Sequence, residues 1–268
     1  MPPWQAALLG LVEGLTEFLP VSSTGHLILL DHWLGQQSEG AHAFEIVIQA
    51  GALLAVVVHY RARLLALARG LLAGERGAQR LGLALALGFA PAAVVGLALG
   101  KAIKHALFGP LPVAAAQIGG GLLMLAMPRL LRARPRVEGV EHVTLRRALA
   151  IGVGQCGALW PGMSRSMCTI LAAEASGLTT ATAAEFSFLL ALPTLGAATA
   201  YEALKSWRVL VTTVPPTSLA VGLGTSFVVA WVVIAAFVRS LGRIGLAPFG
   251  VYRIALGLLV LAVMLPAR

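Results

Sequence analysis

Residues 13–26 read Glu13-Gly-Leu-Thr-Glu17-Phe-Leu-Pro20-Val-Ser22-Ser23-Thr24-Gly25-His26, inside an apolar stretch, 5–34, that is long enough to cross a bilayer. A crossing takes about 20 apolar residues for a hydrocarbon core of roughly 30 Å. Here two carboxylates, a proline and a run of hydroxyls interrupt it. Irregular backbone survives at membrane depth only where protein or a water-filled cavity satisfies its polar groups. The stretch is therefore predicted to be a re-entrant helix pair and not a span. A second stretch, 148–176, is broken in the same way around Pro161-Gly-Met-Ser164-Arg165-Ser166-Met167-Cys168-Thr169 and receives the same reading.

The composition around these stretches demands a membrane. Of 268 residues, 58% are hydrophobic and only 12% charged, with a mean hydropathy of +0.86. A soluble chain keeps about a quarter of its residues charged. The net charge of +9 belongs to topology and not to nucleic acid, since no basic face with interleaved aromatics lies outside the apolar runs. Cys156 and Cys168 sit in apolar surroundings and read as small core residues. The N-terminal apolar stretch lacks a basic leader and carries Glu13 and Glu17, so no cleavable signal peptide is expected.

Six segments read as full spans: 43–60, 81–100, 111–128, 184–201, 217–238 and 247–266. With six spans and two re-entrant pairs, the arginines of 61–80, 129–147 and 239–246 all fall on one side, called cytoplasmic by the positive-inside rule. Lys101, Lys104, Lys205, Arg208 and Arg268 take the other side. Counting either broken stretch as a single span would scramble that asymmetry.

An internal repeat points the same way. Pro20-Val21-Ser22-Ser23 resembles Pro161-Gly162-Met163-Ser164 at an offset of 141, Glu13 stands 142 positions before Gln155, and Phe44 stands 142 before Phe186. The predicted fold is an all-α integral membrane protein forming one domain over 1–268. Its repeats cover about 5–128 and 148–266. Each is one re-entrant pair followed by three spans, so the second enters from the opposite face. Such inverted repeats meet at the midplane and build the binding site there.

The intramembrane polar residues are the candidates for that site. Glu13 and Glu17, spaced i, i+4, project from one helix face. In lipid such a pair needs a proton, a cationic partner or a metal ion, unless the helix simply reaches water. The hydroxyl turn Ser22-Ser23-Thr24 offers backbone N–H groups and hydroxyls to an anion, though such turns also serve as ordinary helix caps. Arg165 cannot lose its proton in the bilayer, and its fork fits phosphate or carboxylate, an ion pair with Glu13 or Glu17 included. Ser164, Ser166 and Thr169 would add donors. A divalent cation on the glutamates would polarise a P–O bond. A serine hydroxyl or His26 would be nucleophile or general base. Gln49 could line the cavity. Glu45 and Glu185 read as interface anchors, and Arg253 as approaching a lipid phosphate or snorkelling to the cytoplasmic surface.

The two quoted motifs closely resemble the signature motifs of the undecaprenyl pyrophosphate phosphatase family of the bacitracin-resistance type. Phe44-Glu45-Ile-Val-Ile-Gln49 and Tyr252-Arg253-Ile are similar to that family as well, so the resemblance covers nearly the whole chain. It implies a bacterial inner-membrane enzyme, open to the periplasm, that hydrolyses undecaprenyl pyrophosphate to undecaprenyl phosphate and recycles the carrier for cell-wall synthesis. It implies Mg²⁺ or Ca²⁺ as cofactor, Glu13 and Glu17 for metal or proton handling, and Arg165 for phosphate. Ser22, Thr24, Ser164, Ser166 and Thr169 fall on phosphate-binding motif positions. For the nucleophile it offers Ser23 or His26; Ser23 is preferred, with His26 as its base. Met167-Cys168 departs from the family's smaller pair, and altered packing behind the site is expected. A transporter of polyprenyl phosphate is the competing reading, since inverted repeats with broken helices are also transporter architecture. Pairing of two chains as a homodimer is left open.

Overall fold

The computed structural model describes residues 1–35, 38–130 and 136–264. They form an all-helical protein with no β-strand among the described residues, only one isolated bridge between Val137 and Leu178. Arg132, Arg134 and Arg268, counted above toward topology, lie outside the described residues, as does the end of the last predicted span.

The first broken stretch is two helices, α1 (Pro3–Thr16) and α2 (Ser23–Leu34). The spans α3 (Glu39–His59), α5 (Arg76–Leu107) and α6 (Pro110–Leu130) follow, with α4 (Arg61–Leu72) between the first two. The second broken stretch is α7 (Leu145–Gln155), a 3₁₀ turn at Cys156–Leu159, and α8 (Arg165–Ala175). It leads to α9 (Thr180–Lys205), the short α10 (Trp207–Thr213), α11 (Pro216–Ile244) and α12 (Ala247–Met264). Six of these, α3, α5, α6, α9, α11 and α12, are long and apolar enough to cross a membrane. At 1.5 Å per residue, the 11–14 residues of α1, α2, α7 and α8 reach only about 16–21 Å, too short to cross alone. The segment 61–80, expected as a loop, holds α4 and the start of α5. Its arginines alternate with Leu64, Leu65, Leu71 and Leu72, a helical pattern whose leucines are in part exposed.

Packing follows a paired scheme. α1 lies along α11, as α7 lies along α5; α3 touches α11, as α9 touches α5; α6 packs on α12 and α3 on α9. Glycines allow the closest approaches. A Cβ on Gly10 or Gly14 of α1 would stand 2.5 Å from the Gly222 carbonyl oxygen or 2.6 Å from that of Ser226 on α11. On α7, a Cβ on Gly152 would come within 2.6 Å of the Gly88 carbonyl oxygen of α5. Small residues that let backbones touch drive helix association in lipid, where burying apolar surface gains nothing. Leu54, Val94, Leu97, Leu122, Val232 and Leu258 are exposed on the spans, an apolar exterior that only lipid or another apolar surface can cover.

Arg63 of α4 holds Glu185 of α9 at 3.0 Å and Glu141 at 3.6 Å, and Arg136 reaches Glu174 at 3.5 Å. Glu185 thus has a basic partner from α4, a more specific role than the interface anchor expected of it. Met167 and Cys168 are both buried in the main hydrophobic core, where the sequence put them.

Candidate functional site

Two turns meet inside the bundle. The first, Glu17–Ser22, joins α1 to α2; the second, Trp160–Ser164, joins the 3₁₀ turn to α8. Each ends on a serine with left-handed backbone, Ser22 at φ +70° and Ser164 at φ +69°, immediately before a helix begins. That conformation costs an L-residue roughly 1–2 kcal/mol, so the surroundings must enforce it. They do so across the two halves of the chain. Ser166 Oγ donates to the Leu19 carbonyl at 2.9 Å and Gln117 Nε2 to the Val21 carbonyl at 3.0 Å. Arg253, fully buried, donates to the carbonyls of Pro20 (3.4 Å), Ala116 (3.1 Å) and Gly162 (2.9 Å).

The result is a cavity of about 150 Å³ lined by Glu17, Ser22, Ser23, Thr24, Gln49, Pro161, Gly162, Ser164 and Arg165, with Ala158 and Leu195 as its apolar flank. The N-termini of α2 and α8 both open onto it with the positive end of a helix dipole; α2 has no side-chain cap, and at α8 Ser164 Oγ accepts from the Met167 N–H. Ser23 Oγ donates to Glu17 Oε2 at 2.8 Å. Arg165 Nη2 lies 3.6 Å from Glu17 Oε1, and its Nη1 donates to the Ser187 carbonyl at 3.1 Å. The guanidinium carbon stands 5.7 Å from the centre of the Phe18 ring, a cation–π contact that fixes its plane. Arg165 Nε and Nη2 have no hydrogen-bond acceptor among the described residues. A buried cation with donors to spare, between two helix N-termini, is built to receive an anion.

Glu13 sits behind Glu17, fully buried, against Glu17 and within reach of the charges of Glu45 and Arg165. Neither of its carboxylate oxygens meets a hydrogen-bond donor among the described residues. An orphaned acceptor pair next to a second carboxylate is a fit place for a divalent cation, which supplies the missing positive charge.

The structure separates the remaining sequence candidates. His26 does not line the cavity. Its Nδ1 lies 2.8 Å from the Ser22 carbonyl oxygen, so that nitrogen carries the proton, and Nε2 accepts from the Tyr252 hydroxyl at 2.6 Å. Both ring nitrogens are engaged, and Ser23 has Glu17 as its proton acceptor where His26 was expected. Ser166 and Thr169 also lie outside the cavity, fully buried. Ser166 ties the turns together, while Thr169 bonds the Arg165 carbonyl at 2.9 Å and the Ser187 hydroxyl at 2.6 Å. They support the cavity-lining residues without lining the cavity themselves. Gln155, the counterpart of Glu13 in the repeat, is a satisfied amide bonded to the Gly88 carbonyl and the Thr194 hydroxyl.

Arg253 is neither at a lipid phosphate nor snorkelling. A guanidinium at this depth needs internal acceptors, and three carbonyls supply them. Gln117, which the sequence reading passed over, works beside it. Both carry the signal that singled out Arg165, a polar side chain inside an apolar span. Arg253→Met is expected to leave the turn carbonyls of Pro20 and Gly162 without this donor, at about 1–3 kcal/mol each. Thermal melting of the purified protein should fall clearly, and turnover by about 10²-fold as the two turns lose register. A variant that melts and turns over as the wild type does would remove Arg253 from the architecture of the site.

An apolar exterior around a buried, arginine-bearing polar cavity defines a multi-pass membrane protein with an internal binding site. The chain belongs to the bacitracin resistance protein BacA family, which it matches over residues 6–259. It is 60% identical over 261 residues to the undecaprenyl-diphosphatase of Sorangium cellulosum, covering 96% of this chain and 85% of that one. The undecaprenyl-diphosphatases of Sphingopyxis alaskensis and Ectopseudomonas mendocina are 48% and 46% identical, each over 93% of its own length and 93% and 97% of this chain.

Proposed function

We propose that this protein hydrolyses undecaprenyl pyrophosphate to undecaprenyl phosphate and inorganic phosphate, recycling the lipid carrier for cell-wall synthesis. The observation that carries the reading is Arg165, buried between two helix N-termini with unfilled donors, facing Ser23 paired to Glu17. The names of the similar proteins support the same substrate.

The chemistry follows from that geometry. Arg165 and the N–H groups opening α2 and α8 hold the terminal phosphoryl group and stabilise charge on its equatorial oxygens. Ser23 Oγ attacks the terminal phosphorus, passing its proton to Glu17 Oε2. The bond from that phosphorus to the bridging oxygen breaks, and undecaprenyl phosphate departs with the proton from Glu17. Water then attacks the phosphoserine; its proton replaces the phosphoryl group on Ser23 Oγ, and inorganic phosphate leaves with the hydroxyl. Ser22, Thr24 and Ser164 add donors around the phosphoryl group. Glu13 and Glu17 would hold Mg²⁺ or Ca²⁺, which neutralises phosphate charge and polarises the scissile bond when bound.

We further read the chain as one domain with an inverted-topology repeat and two re-entrant pairs. Exchanging α1–α6 for α7–α12 leaves the main helix pairings unchanged, which supports the repeat. Ser22 and Ser164, as well as Gly10 and Gly152, are equivalent positions 142 apart. The basic residues of 61–80 and 136–147 then face the cytoplasm across the inner membrane of a bacterium, and the cavity opens to the periplasm.

Phosphate release from the polyprenyl diphosphate by the purified chain in detergent tests the reading. Release is expected with Mg²⁺ or Ca²⁺ and is expected to fall by about 10²-fold or more under chelator or in Glu17→Gln. No release from well-folded wild type would hand the site to lipid transport.

A further inference from the structure

Outside the cavity, Asp31 of α2 faces His42 and Glu45 of α3. One oxygen from each carboxylate and one ring nitrogen lie within 4.8 Å of one another, with His42 Nδ1 3.9 Å from Glu45 Oε2. Asp31 is only 7% exposed and the Glu45 side chain only 14%. Asp31 Oδ1 and Glu45 Oε1, both buried, have no hydrogen-bond partner among the described residues. Among those residues, no lysine or arginine forms an ion pair with either carboxylate. Two buried carboxylates with open lone pairs facing each other need a positive charge between them.

We propose that Asp31, His42 and Glu45 form a second cation site, separate from Glu13 and Glu17, which takes a transition-type divalent ion such as Zn²⁺. The donor set decides the class: an imidazole with two carboxylates suits zinc, whereas magnesium and calcium prefer oxygen alone. Zinc bonds of about 2.0–2.2 Å set tetrahedral donors roughly 3.3–3.6 Å apart, a small rotamer adjustment from the spacing here. The half-exposed His42 gives the ion its way in, and a fourth position stays open to water. The consequence is mechanical. Asp31 lies eight residues along α2 from Ser23, about 12 Å at 1.5 Å per residue, and Glu45 lies one helical turn before Gln49 in the cavity wall. An ion here clamps the outer end of α2 to α3 and so steadies the helix whose first residue is Ser23.

The test uses the full chain in detergent, stripped by chelator and then titrated with Zn²⁺ alone, with calorimetry and bound metal per chain as readouts. Wild type is expected to hold one zinc that Glu17→Gln also holds. Asp31→Asn and His42→Ala are expected to weaken it at least 30-fold and to abolish the rise in melting temperature that zinc gives the wild type. His42 is half exposed, so His42→Ala keeps its fold even where Asp31→Asn does not. Zinc held equally by His42→Ala, or lost in Glu17→Gln, would place the ion elsewhere and overturn the proposal. Absence of binding to wild type would overturn it too, leaving Asp31 and Glu45 to share a proton.

Discussion

Replacing Arg165 by alanine is expected to slow phosphate release by about 10³–10⁵-fold, the range removed when a transition-state arginine is lost from phosphoryl transfer. The size follows from how little else in the cavity carries positive charge. Among the described cavity residues Arg165 is the one cation, and its Nε and Nη2 make no hydrogen bond among the described residues, Nη2 standing 3.6 Å from Glu17 Oε1. Its orientation is already set by the Ser187 carbonyl and the Phe18 ring, so little reorganisation accompanies the reaction. Arg165→Lys is the informative companion. It restores a charge without the planar fork or the Ser187 tether, and should recover only a small part of the lost rate. Steady-state release in detergent, beside circular dichroism to confirm the helices, reads both variants. Activity of Arg165→Ala within tenfold of wild type would mean that the phosphoryl group binds elsewhere.

The second large effect is expected at Ser23. Ser23→Ala should lower turnover at least about 10³-fold, as loss of a nucleophile does when the rest of its machinery persists. His26→Ala should stay within about tenfold, because both nitrogens of that ring are engaged with Ser22 and Tyr252 and neither reaches Ser23. Acid quenching of wild type during turnover, followed by mass spectrometry of the peptide carrying Ser23, should trap the phosphoserine. Should His26→Ala prove dead and Ser23→Ala active, the histidine would be the nucleophile and Glu17 would lose its part as proton acceptor.

The sequence showed the six spans because each is a run of about 20 apolar residues, a signal local to the segment. α4 escaped it because Arg61, Arg63 and Arg69 are interleaved with leucines, a pattern hydropathy alone reads as loop. Arg165, Glu13, Glu17 and Ser23 were legible because charge and hydroxyls stand out against an apolar background. Ser166 and Thr169 carried the same signal, yet neither lines the cavity. Thr169 is one helical turn, about 6 Å, beyond the N-terminus that faces the cavity, a depth that motif density does not reveal. The partnership of Arg253 with Pro20 and Gly162 joins residues 233 and 91 positions apart, and no local pattern encodes it. Asp31 went unnoticed because its significance lies in His42 and Glu45, which belong to another helix.

The guanidinium of Arg253 has a bearing on biosynthesis. Helices leave the ribosome in order, and α12 is the last of the spans to do so. Both signature turns are therefore made before the guanidinium that bridges Pro20 and Gly162 exists. A nascent or truncated chain ending before residue 253 would carry every group proposed to touch substrate and still lack the donor that ties Pro20 to Gly162.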